Sequence, residues 1–314
     1  MTRLAAVTGG TGFLGGAVVA ALARRGWRVR LLVRRSPTHP RHPDHEPELV
    51  FGSLDDAEAL RRLVRGADAV VHAAGLIKAR SDAEFMAANR DGSGRVAAAL
   101  AATAPGARLV HVSSLAAREP HLSPYAASKR AGEQAVVEAC GDAPWVVVRP
   151  PAIYGPRDRE TLTVFRTVRG PVVPLFHGPE ARVCLIHVDD AAEAVAALCA
   201  GGPFGRTLEL SDERREGYAW RTVLDEAARA VGAAPRIVRV PAPCLRLGGA
   251  VAGTAARLLG RAPMLTPGKA REMLHPDWSS AAERQPPPEV WSPHIPLRPG
   301  FAETVRWYRE AHWL

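Results

Sequence analysis

A glycine-rich turn between two short apolar segments, close to the N-terminus, constrains the fold of this chain more than any other feature. Residues 4–34 read LAAVTGGTGFLGGAVVAALARRGWRVRLLVR. This pattern predicts a strand over 4–7, a helix from residue 13 to about 25 and a second strand over 27–33, with Gly26 as the left-handed cap of the helix. The stretch is therefore predicted to form a βαβ unit.

Three glycines in this turn, Gly9, Gly12 and Gly15, indicate a site for a pyrophosphate. Glycine lets backbone N–H groups approach phosphate oxygens closely, and the N-terminus of the following helix adds a partial positive charge. Such a spacing is weak evidence alone, but here it follows a predicted strand and opens a predicted helix, which is the context of a dinucleotide site. A structural turn without a ligand is the alternative.

The residues that close the second strand bear on the choice of dinucleotide. A site for NAD usually has an acidic residue there, which binds the ribose 2′-hydroxyl. This chain has Arg34 and Arg35, and its next acidic residue is Asp44. Because a guanidinium binds phosphate oxygens through two parallel hydrogen bonds, the pair favours NADP over NAD. The alternative is that both arginines are solvated surface charges.

Strands and helices continue to alternate up to residue 150. Further strands are predicted over 48–51, 67–72, 108–112 and 145–148, an alanine-rich helix over about 83–104, and a helix that begins at Pro124 with Ser123 as its N-cap. The alternation predicts an α/β fold with a Rossmann-type, doubly wound parallel sheet that binds ligands at the carboxyl ends of its strands. We expect a dinucleotide-binding domain over 1–150, with a returning segment near 184–200, and a smaller substrate-binding lobe over 151–314.

Composition and charge exclude several other classes of protein. The net charge is +9, but no basic block concentrates it, so we expect no nucleic-acid partner. No apolar run reaches the ~18 residues of a membrane span. The apolar stretch 242–259 is predicted to be an amphipathic helix of the lobe, with a membrane-surface helix as the alternative. The first strand follows Met1 too closely for a signal peptide, so a cytoplasmic enzyme is expected.

Three further residues suggest the chemistry. Tyr125 and Lys129 are four residues apart at the start of a predicted helix, so both side chains lie on one face, and Ser114 ends the preceding strand. The reference pKa of a tyrosine hydroxyl is about 10, and a nearby ammonium lowers it. A serine hydroxyl beside them would hold a substrate oxygen. Together the three side chains suit hydride exchange between a nicotinamide and a carbonyl or carbinol.

Six segments occur in an order that matches a known family: TGGTGFLG (8–15), ADAVVHAAG (67–75), VHVSS (110–114), YAASK (125–129), RPPAIYGPRD (149–158) and IHVDD (186–190). Together they resemble the extended short-chain dehydrogenase/reductases, whose members include NAD-dependent epimerases and dehydratases. The closing segment ETVRWYREAHWL also resembles the branch of dihydroflavonol reductases and 3β-hydroxysteroid dehydrogenases.

This resemblance implies a role for each matching residue. Ser114, Tyr125 and Lys129 would be the catalytic residues, and Asn89 and Ser113 would lie near them. The implied cofactor contacts are Gly9, Gly12, Phe13 and Leu14 at the pyrophosphate, Arg34 at the 2′-phosphate, Ser53 and Leu54 at the adenine, Ala73, Ala74 and Gly75 beside the ribose, Lys129 at the nicotinamide ribose, and Pro150 and Ile153 at the nicotinamide.

One position departs from the family pattern, and one segment invites a different interpretation. The family usually has aspartate where this chain has Ser53, so the hydrogen bond to the adenine would be weaker. His187, Asp189 and Asp190 suggest a metal or acid–base site, but this segment is mainly structural in the family, and we expect no metal. His72 and His111 lie within apolar strands and are interpreted as core histidines.

The leading hypothesis is an NADP-dependent oxidoreductase that interconverts a ketone and a secondary alcohol on a small hydrophobic molecule. One alternative is a nucleotide-sugar epimerase, which would more often use NAD. A 4,6-dehydratase is disfavoured, because Leu115 and Ala116 replace the acidic pair that follows the serine in such enzymes. Another alternative is a non-catalytic NADP-binding subunit or sensor, although relatives of that kind tend to lose the Tyr/Lys pair. A homodimer is common in the family and stays open here.

Overall fold

The computed structural model describes residues 2–36, 46–241, 243, 245 and 266–314. Contacts within the chain divide it into two compact units. The first comprises Met1–Pro150, Ala191–Glu209 and Pro286–Ser292, and the second comprises Pro151–Asp190, Leu210–Gln285 and Pro293–Leu314. The amphipathic helix predicted over 242–259 falls almost entirely outside the described residues.

The described elements, in chain order, are as follows. The strands are β1 Leu4–Thr8, β2 Arg28–Val33, β3 Glu48–Phe51, β4 Ala69–His72, β5 Arg108–Val112, β6 Trp145–Arg149, β7 Ala152–Tyr154, β8 Val172–Leu175, β9 Arg182–Val183, β10 Leu185–His187, β11 Arg206–Glu209, β12 Tyr218–Ala219, β13 Arg236–Arg239 and β14 Asp277–Trp278. The α-helices are α1 Phe13–Arg24, α2 Ala57–Val64, α3 Asp82–Phe85, α4 Gly92–Thr103, α5 Pro124–Cys140, α6 Leu162–Val168, α7 Val188–Ala200, α8 Trp220–Val231, α9 Pro267–Leu274 and α10 Leu297–Glu310.

A seven-stranded parallel sheet forms the centre of the first unit. Its strand order is β11-β6-β5-β4-β1-β2-β3, so the order reverses between β1 and β4. All residues of β1 and β4 are buried, as expected for central strands covered by helices on both faces. The predicted fold class is therefore confirmed. The carboxyl ends of β1 and β4 meet at the switch point, where ligands bind in sheets of this kind.

The segment that returns to the first unit differs from the prediction. It runs over Ala191–Glu209 rather than near 184–200, because β11 adds to the edge of the sheet beside β6, with Arg206 opposite Val146 and Glu209 opposite Arg149. The sequence of β11 is RTLE, with a single aliphatic residue, so an apolar pattern did not reveal this seventh strand.

A second difference concerns the helix predicted over about 83–104. The structure divides it into α3, a π-helix over Met86–Asp91 and α4. Helix α5 crosses this stretch so closely that a Cβ added at Gly132 would lie 2.2 Å from the Asn89 carbonyl oxygen. That carbonyl accepts a hydrogen bond from Ser93 Oγ at 2.6 Å. The wider turn therefore places buried Asn89 on the face of the helix that meets α5, and such π turns often occur at functional sites.

The described residues of the second unit form three small sheets and an apolar core. The parallel pair β10–β7, the three strands β12-β9-β14 and the parallel pair β13–β8 are connected by α6, α8, α9 and α10. Aromatic rings pack edge to face in the core, with Phe301 against both Tyr154 and Phe165. Among the described residues, no helix combines the length and the apolar character needed to cross a membrane.

Candidate active site

The glycine turn after β1 has the backbone geometry expected of a phosphate site. Gly9 has a φ of +75°, and a Cβ there would lie 2.5 Å from the Ala74 backbone nitrogen. A Cβ at Gly15 would lie 2.1 Å from the Gly9 carbonyl oxygen, so glycine lets α1 pack directly on the turn. Gly12 is the N-cap of α1 and supplies no side-chain cap to the first N–H groups of the helix. An uncapped helix N-terminus behind glycine backbone fits a pyrophosphate.

Small residues after β4 lie against this turn. Ala73 and Ala74 are half-buried, Gly75 is exposed, and the Ala74 N–H donates to Thr8 Oγ1 at 3.3 Å. A Cβ at Gly75 would lie 2.8 Å from Asn89 Oδ1 and 3.8 Å from Lys129 Nζ. The structure therefore brings the residues predicted for the pyrophosphate and the ribose into one neighbourhood, together with Lys129.

The helix that carries the predicted catalytic pair begins as expected. Ser123 Oγ caps α5 by accepting from the Ala126 N–H at 3.0 Å, and Pro124 occupies the first turn. Tyr125 is half-buried, and its ring lies 6.0 Å from that of Phe85 on α3. Lys129, one helical turn later, is buried and donates from Nζ to the Val112 carbonyl oxygen at 2.8 Å. This bond ties α5 to the end of β5, directly before Ser113 and Ser114.

Burial also changes the acidity of the lysine. Desolvation lowers the pKa of the Lys129 ammonium to about 8, while the carboxylate of Glu133, four residues along the same helix, acts in the opposite direction. A buried ammonium beside a tyrosine is the arrangement that stabilises a phenolate. Lys129 therefore suits a proton-transfer site that operates near neutral pH.

The structure separates the roles of the two serines after β5. Ser113 is buried and donates from Oγ to Glu133 Oε1 at 2.6 Å. Ser114 is half-buried and begins a short 3₁₀ turn, where its Oγ accepts from the Ala116 N–H at 3.2 Å. A hydroxyl that accepts in this way still has a hydrogen to donate to a ligand. Ser114 is therefore the better candidate for binding a substrate oxygen.

Beneath these serines lies a buried ionic network that sequence reasoning missed. The guanidinium of Arg149, at the end of β6, donates to Glu133 from Nε at 2.8 Å and from Nη2 at 2.6 Å. Arg149 Nη1 also lies 3.9 Å from Glu209 on β11. The only sequence feature that pointed to this network is Glu133, which lies four residues after Lys129 and so on the same face of the helix. The network ties α5 to the ends of β6 and β11 and, through the Ser113 hydroxyl, to the end of β5.

The residues predicted to choose the cofactor follow β2 and β3, the two outer strands on one side of the sheet. Arg34 and Arg35 follow β2 and are exposed. Ser53, after β3, is half-buried and accepts from the Asp55 N–H at 3.2 Å. Leu54 packs partly into the core, with its Cδ1 2.8 Å from where a Cβ at Gly92 would lie. Both strands end at the same edge of the sheet as β1 and β4.

Two predicted contacts with the nicotinamide belong to different units. Pro150 ends the first unit, is buried, and accepts from the Leu115 N–H at 2.9 Å, so it lies beside the Ser114 turn. Ile153 lies on β7 in the second unit, opposite Ile186 of β10. Its role at the cofactor stays a prediction.

The His187 segment lies in the second unit, and one of its carboxylates is held by backbone N–H groups. Asp190 accepts from the backbone N–H groups of His294 and Ile295, at 2.8–3.1 Å. The shortest approach of Asp189 to the buried His187 ring is to Nδ1, at 3.8 Å, and that of Glu303 is to Nε2, at 3.9 Å. Burial lowers the pKa of His187, so these carboxylates face a neutral ring near neutral pH. One ligand atom from each of His187, Asp189 and Glu303 lies within 4.8 Å of the others, and the expectation of no metal here stays a prediction.

Comparison with known proteins agrees with this geometry. The model of the NAD dependent epimerase/dehydratase family matches residues 5–208. A ceramide reductase from Caulobacter vibrioides is 49% identical over 310 residues, which are 98% of this chain and 95% of that protein. A 2-alkyl-3-oxoalkanoate reductase from Stenotrophomonas maltophilia is 32% identical over 321 residues, covering 87% of this chain and 90% of the relative.

Solved structures show the same fold. The UDP-glucose 4-epimerase of Thermotoga maritima superposes with a TM-score of 0.73 over 99% of this chain and 100% of the epimerase, at 19% identity. The family match covers more than half of the chain, and relatives above 30% identity cover nearly all of it. The chain therefore belongs to the NAD-dependent epimerase/dehydratase family, as an NAD(P)-dependent oxidoreductase of the extended short-chain dehydrogenase/reductase type.

Proposed function

We propose that this protein is an NADPH-dependent reductase that converts the ketone form of a ceramide-type lipid to the secondary alcohol. The observation that carries the chemistry is the position of Lys129, one turn after Tyr125, with Nζ bound to the end of β5 beside Ser114 and close to Gly75. The substrate class is supported by the similarity to a ceramide reductase over nearly the full length of both chains.

The two reductases named above also suggest which part of the substrate is recognised. A ceramide is a long-chain amino alcohol that carries a second hydrocarbon chain through an amide. A 2-alkyl-3-oxoalkanoate is a ketone with one hydrocarbon chain on the carbonyl and another on the neighbouring carbon. The shared element is a carbonyl or carbinol with a hydrocarbon chain on either side and a polar group on the branching carbon. We infer that this element defines the substrate class.

Each catalytic side chain has a defined task in this reduction. A bound nicotinamide dinucleotide supplies the hydride to the carbonyl carbon. Ser114 donates a hydrogen bond to the carbonyl oxygen and orients it. Tyr125 then donates its hydroxyl proton to that oxygen, which becomes the alcohol, and the ammonium of Lys129 stabilises the phenolate that remains. Glu133 and Arg149 hold α5 and the end of β6 in register, but they do not touch the substrate.

The choice of NADPH rests on Arg34. Its exposed guanidinium follows β2 at the edge of the sheet where the glycine turn lies, and it suits a 2′-phosphate. Ser53 would accept from the adenine amino group more weakly than a carboxylate. Affinity for the dinucleotide therefore depends more strongly on the 2′-phosphate. A cytoplasmic location and a homodimer remain predictions of the sequence.

Product analysis with isotopically labelled cofactor tests the proposed function. Purified protein is mixed with NADPH deuterated at nicotinamide C4 and with the ketone form of a ceramide, a 2-alkyl-3-oxoalkanoate or UDP-glucose. We expect one alcohol for each NADPH consumed, with deuterium on the carbinol carbon, for one of the first two compounds. Epimerisation of UDP-glucose without net consumption of cofactor would identify an epimerase. Tight NADPH binding without turnover of any compound would favour a non-catalytic subunit.

A further inference from the structure

Two apolar side chains remain exposed directly after Gly75. Leu76 is 38% exposed and Ile77 is 60% exposed, although both follow a fully buried strand. They belong to the segment that joins β4 to α3, at the carboxyl edge of the parallel sheet. Neighbouring exposed apolar side chains beside a catalytic site are a feature that a bound ligand commonly covers.

The backbone that carries these side chains is held in place. The Leu76 N–H donates to Asn89 Oδ1 at 2.8 Å, and Asn89 Nδ2 donates to the Leu76 carbonyl oxygen at 3.0 Å. Asn89 Nδ2 also lies 2.9 Å from Ser128 Oγ, on the residue that precedes Lys129. The exposed pair is thereby connected to the catalytic helix through a single buried amide. The hydrogen bonds of Asn89 therefore hold Leu76 and Ile77 near Tyr125 and Lys129.

Phe85 is a further apolar side chain beside Tyr125. It ends α3, is half-buried, and its ring lies against that of Tyr125. An anionic membrane is a poor occupant of this face, because Lys78 and Arg80 are balanced by Asp82 and Glu84 and leave no net positive charge. The charge of Arg80 is also paired with Glu84 at 3.1 Å. An uncharged hydrocarbon chain fits both the apolar side chains and this balance of charge.

We propose that Leu76 and Ile77 form a subsite for one hydrocarbon chain of the substrate, next to the carbonyl that Tyr125 protonates. This inference rests on the proposed function and adds to it the residues that recognise chain length. Each methylene group that is buried on such a surface improves kcat/KM by about fourfold. The wild-type enzyme should therefore show kcat/KM rising with chain length over the methylenes that reach the subsite.

A series of 2-acylamino ketones, identical except for the length of the chain on the carbonyl, measures this dependence in detergent solution. In Leu76→Ser and Ile77→Ser we expect the gain per methylene to fall from about fourfold to twofold or less. The loss should appear in KM rather than kcat and should grow with chain length. Ile77→Leu, which keeps an apolar side chain, should restore most of the gain. The control is Phe204→Ser, because the Phe204 side chain is also apolar and is 65% exposed. Phe204 lies at the opposite edge of the sheet, since the N–H of the next residue, Gly205, donates to Trp145 at the amino end of β6. The dependence of kcat/KM on chain length in Phe204→Ser should match wild type.

The outcomes separate this inference from the proposed function. If the wild type reduces no ketone of the series, the proposed function fails. If it does so with a clear dependence on chain length that both serine variants retain, the subsite is contradicted and the function stands. An equal loss for the shortest and longest ketones would show a general disturbance of the site and would also contradict the subsite. The same ketones are also presented in anionic vesicles in place of detergent. A defect of the serine variants that appears only in vesicles would identify a membrane contact and would contradict the subsite as well.

Discussion

The Nδ1 atom of His72 lies 2.7 Å from the hydroxyl oxygen of Thr8, and its Nε2 atom lies 3.0 Å from Ser93 Oγ. Thr8 Oγ1 accepts from the Ala74 N–H, and Ser93 Oγ donates to the Asn89 carbonyl oxygen. These partners assign the proton of a neutral His72 to Nε2, with Nδ1 accepting from Thr8. A buried chain of hydrogen bonds therefore joins the start of the glycine turn to the π-helix that carries Asn89.

This arrangement predicts loss of stability in mild acid. Burial lowers the pKa of His72 to about 3, and burial together with the charges of His72 and Lys129 holds the pKa of His111 well below its usual range. Below about pH 6.5 the unfolded chain binds protons at both histidines and the folded chain does not. As the pH decreases below about 6.5, the free energy of unfolding should therefore fall by up to about 1.4 kcal/mol per pH unit for each histidine.

Urea denaturation between pH 7 and 5 measures this dependence. Both ring nitrogens of His111 are buried without a hydrogen-bond partner in the described part of the chain, and the ring stacks on His72 at 5.3 Å. His111→Phe should therefore give a shallower pH dependence with little loss of stability at pH 7. A steeper or unchanged slope in this variant would argue that His111 is protonated in the folded protein.

The pair formed by Glu133 and Arg149 should make a large contribution to stability. Both side chains are about 95% buried, at 6% and 5% exposure, and two hydrogen bonds join them. Glu133→Gln leaves the buried guanidinium without its closest countercharge, so we expect the free energy of unfolding to fall by about 3–5 kcal/mol. The matched control is Glu58→Gln, which removes an exposed pair with Arg61 and should leave the free energy of unfolding nearly unchanged. Equal effects of the two substitutions would contradict the account.

Reduction should slow above about pH 8. The lowered pKa of Lys129 means that its ammonium loses a proton as pH rises through about 8, and Tyr125 then becomes a weaker acid. The alkaline decline in kcat/KM for ketone reduction should be absent or shifted upwards in Lys129→Arg, because a guanidinium stays protonated, although the absolute rate of that variant should be lower. A decline at the same pH in both proteins would assign the ionisation to another group.

Cofactor preference should depend on Arg34. Arg34→Asp removes the proposed partner of the 2′-phosphate and places a carboxylate near the ribose hydroxyl. The ratio of kcat/KM for NADPH to that for NADH should fall by about 10–100-fold, the range of a charge-assisted hydrogen bond. Arg28→Asp is the matched control, since Arg28 is an exposed residue at the opposite end of β2. A ratio unchanged in Arg34→Asp would remove the structural basis for NADP.

Local patterns in the sequence predicted much of this fold, and contacts between distant residues account for what they missed. Strands β3 and β5 and the Ser123 cap match the prediction because apolar runs and capping residues act locally. The π-helix was missed, since its cause is the close approach of Gly132 to Asn89 from another helix. Glu133 and Arg149 are 16 residues apart, and only the folded sheet shows that their charges are paired and buried. The tautomer of His72 likewise depends on Thr8 and Ser93, which no periodic pattern connects.

The most direct test of the central claim is the rate of ketone reduction by Tyr125→Phe. This substitution removes only the hydroxyl that would donate the proton, and the Phe85 contact with the ring is kept. We expect kcat to fall by about 10²–10⁴-fold, while the dissociation constant for NADPH changes by less than about twofold. Reduction of the same ketone at a rate close to wild type would show that another group supplies the proton and would contradict the proposed mechanism.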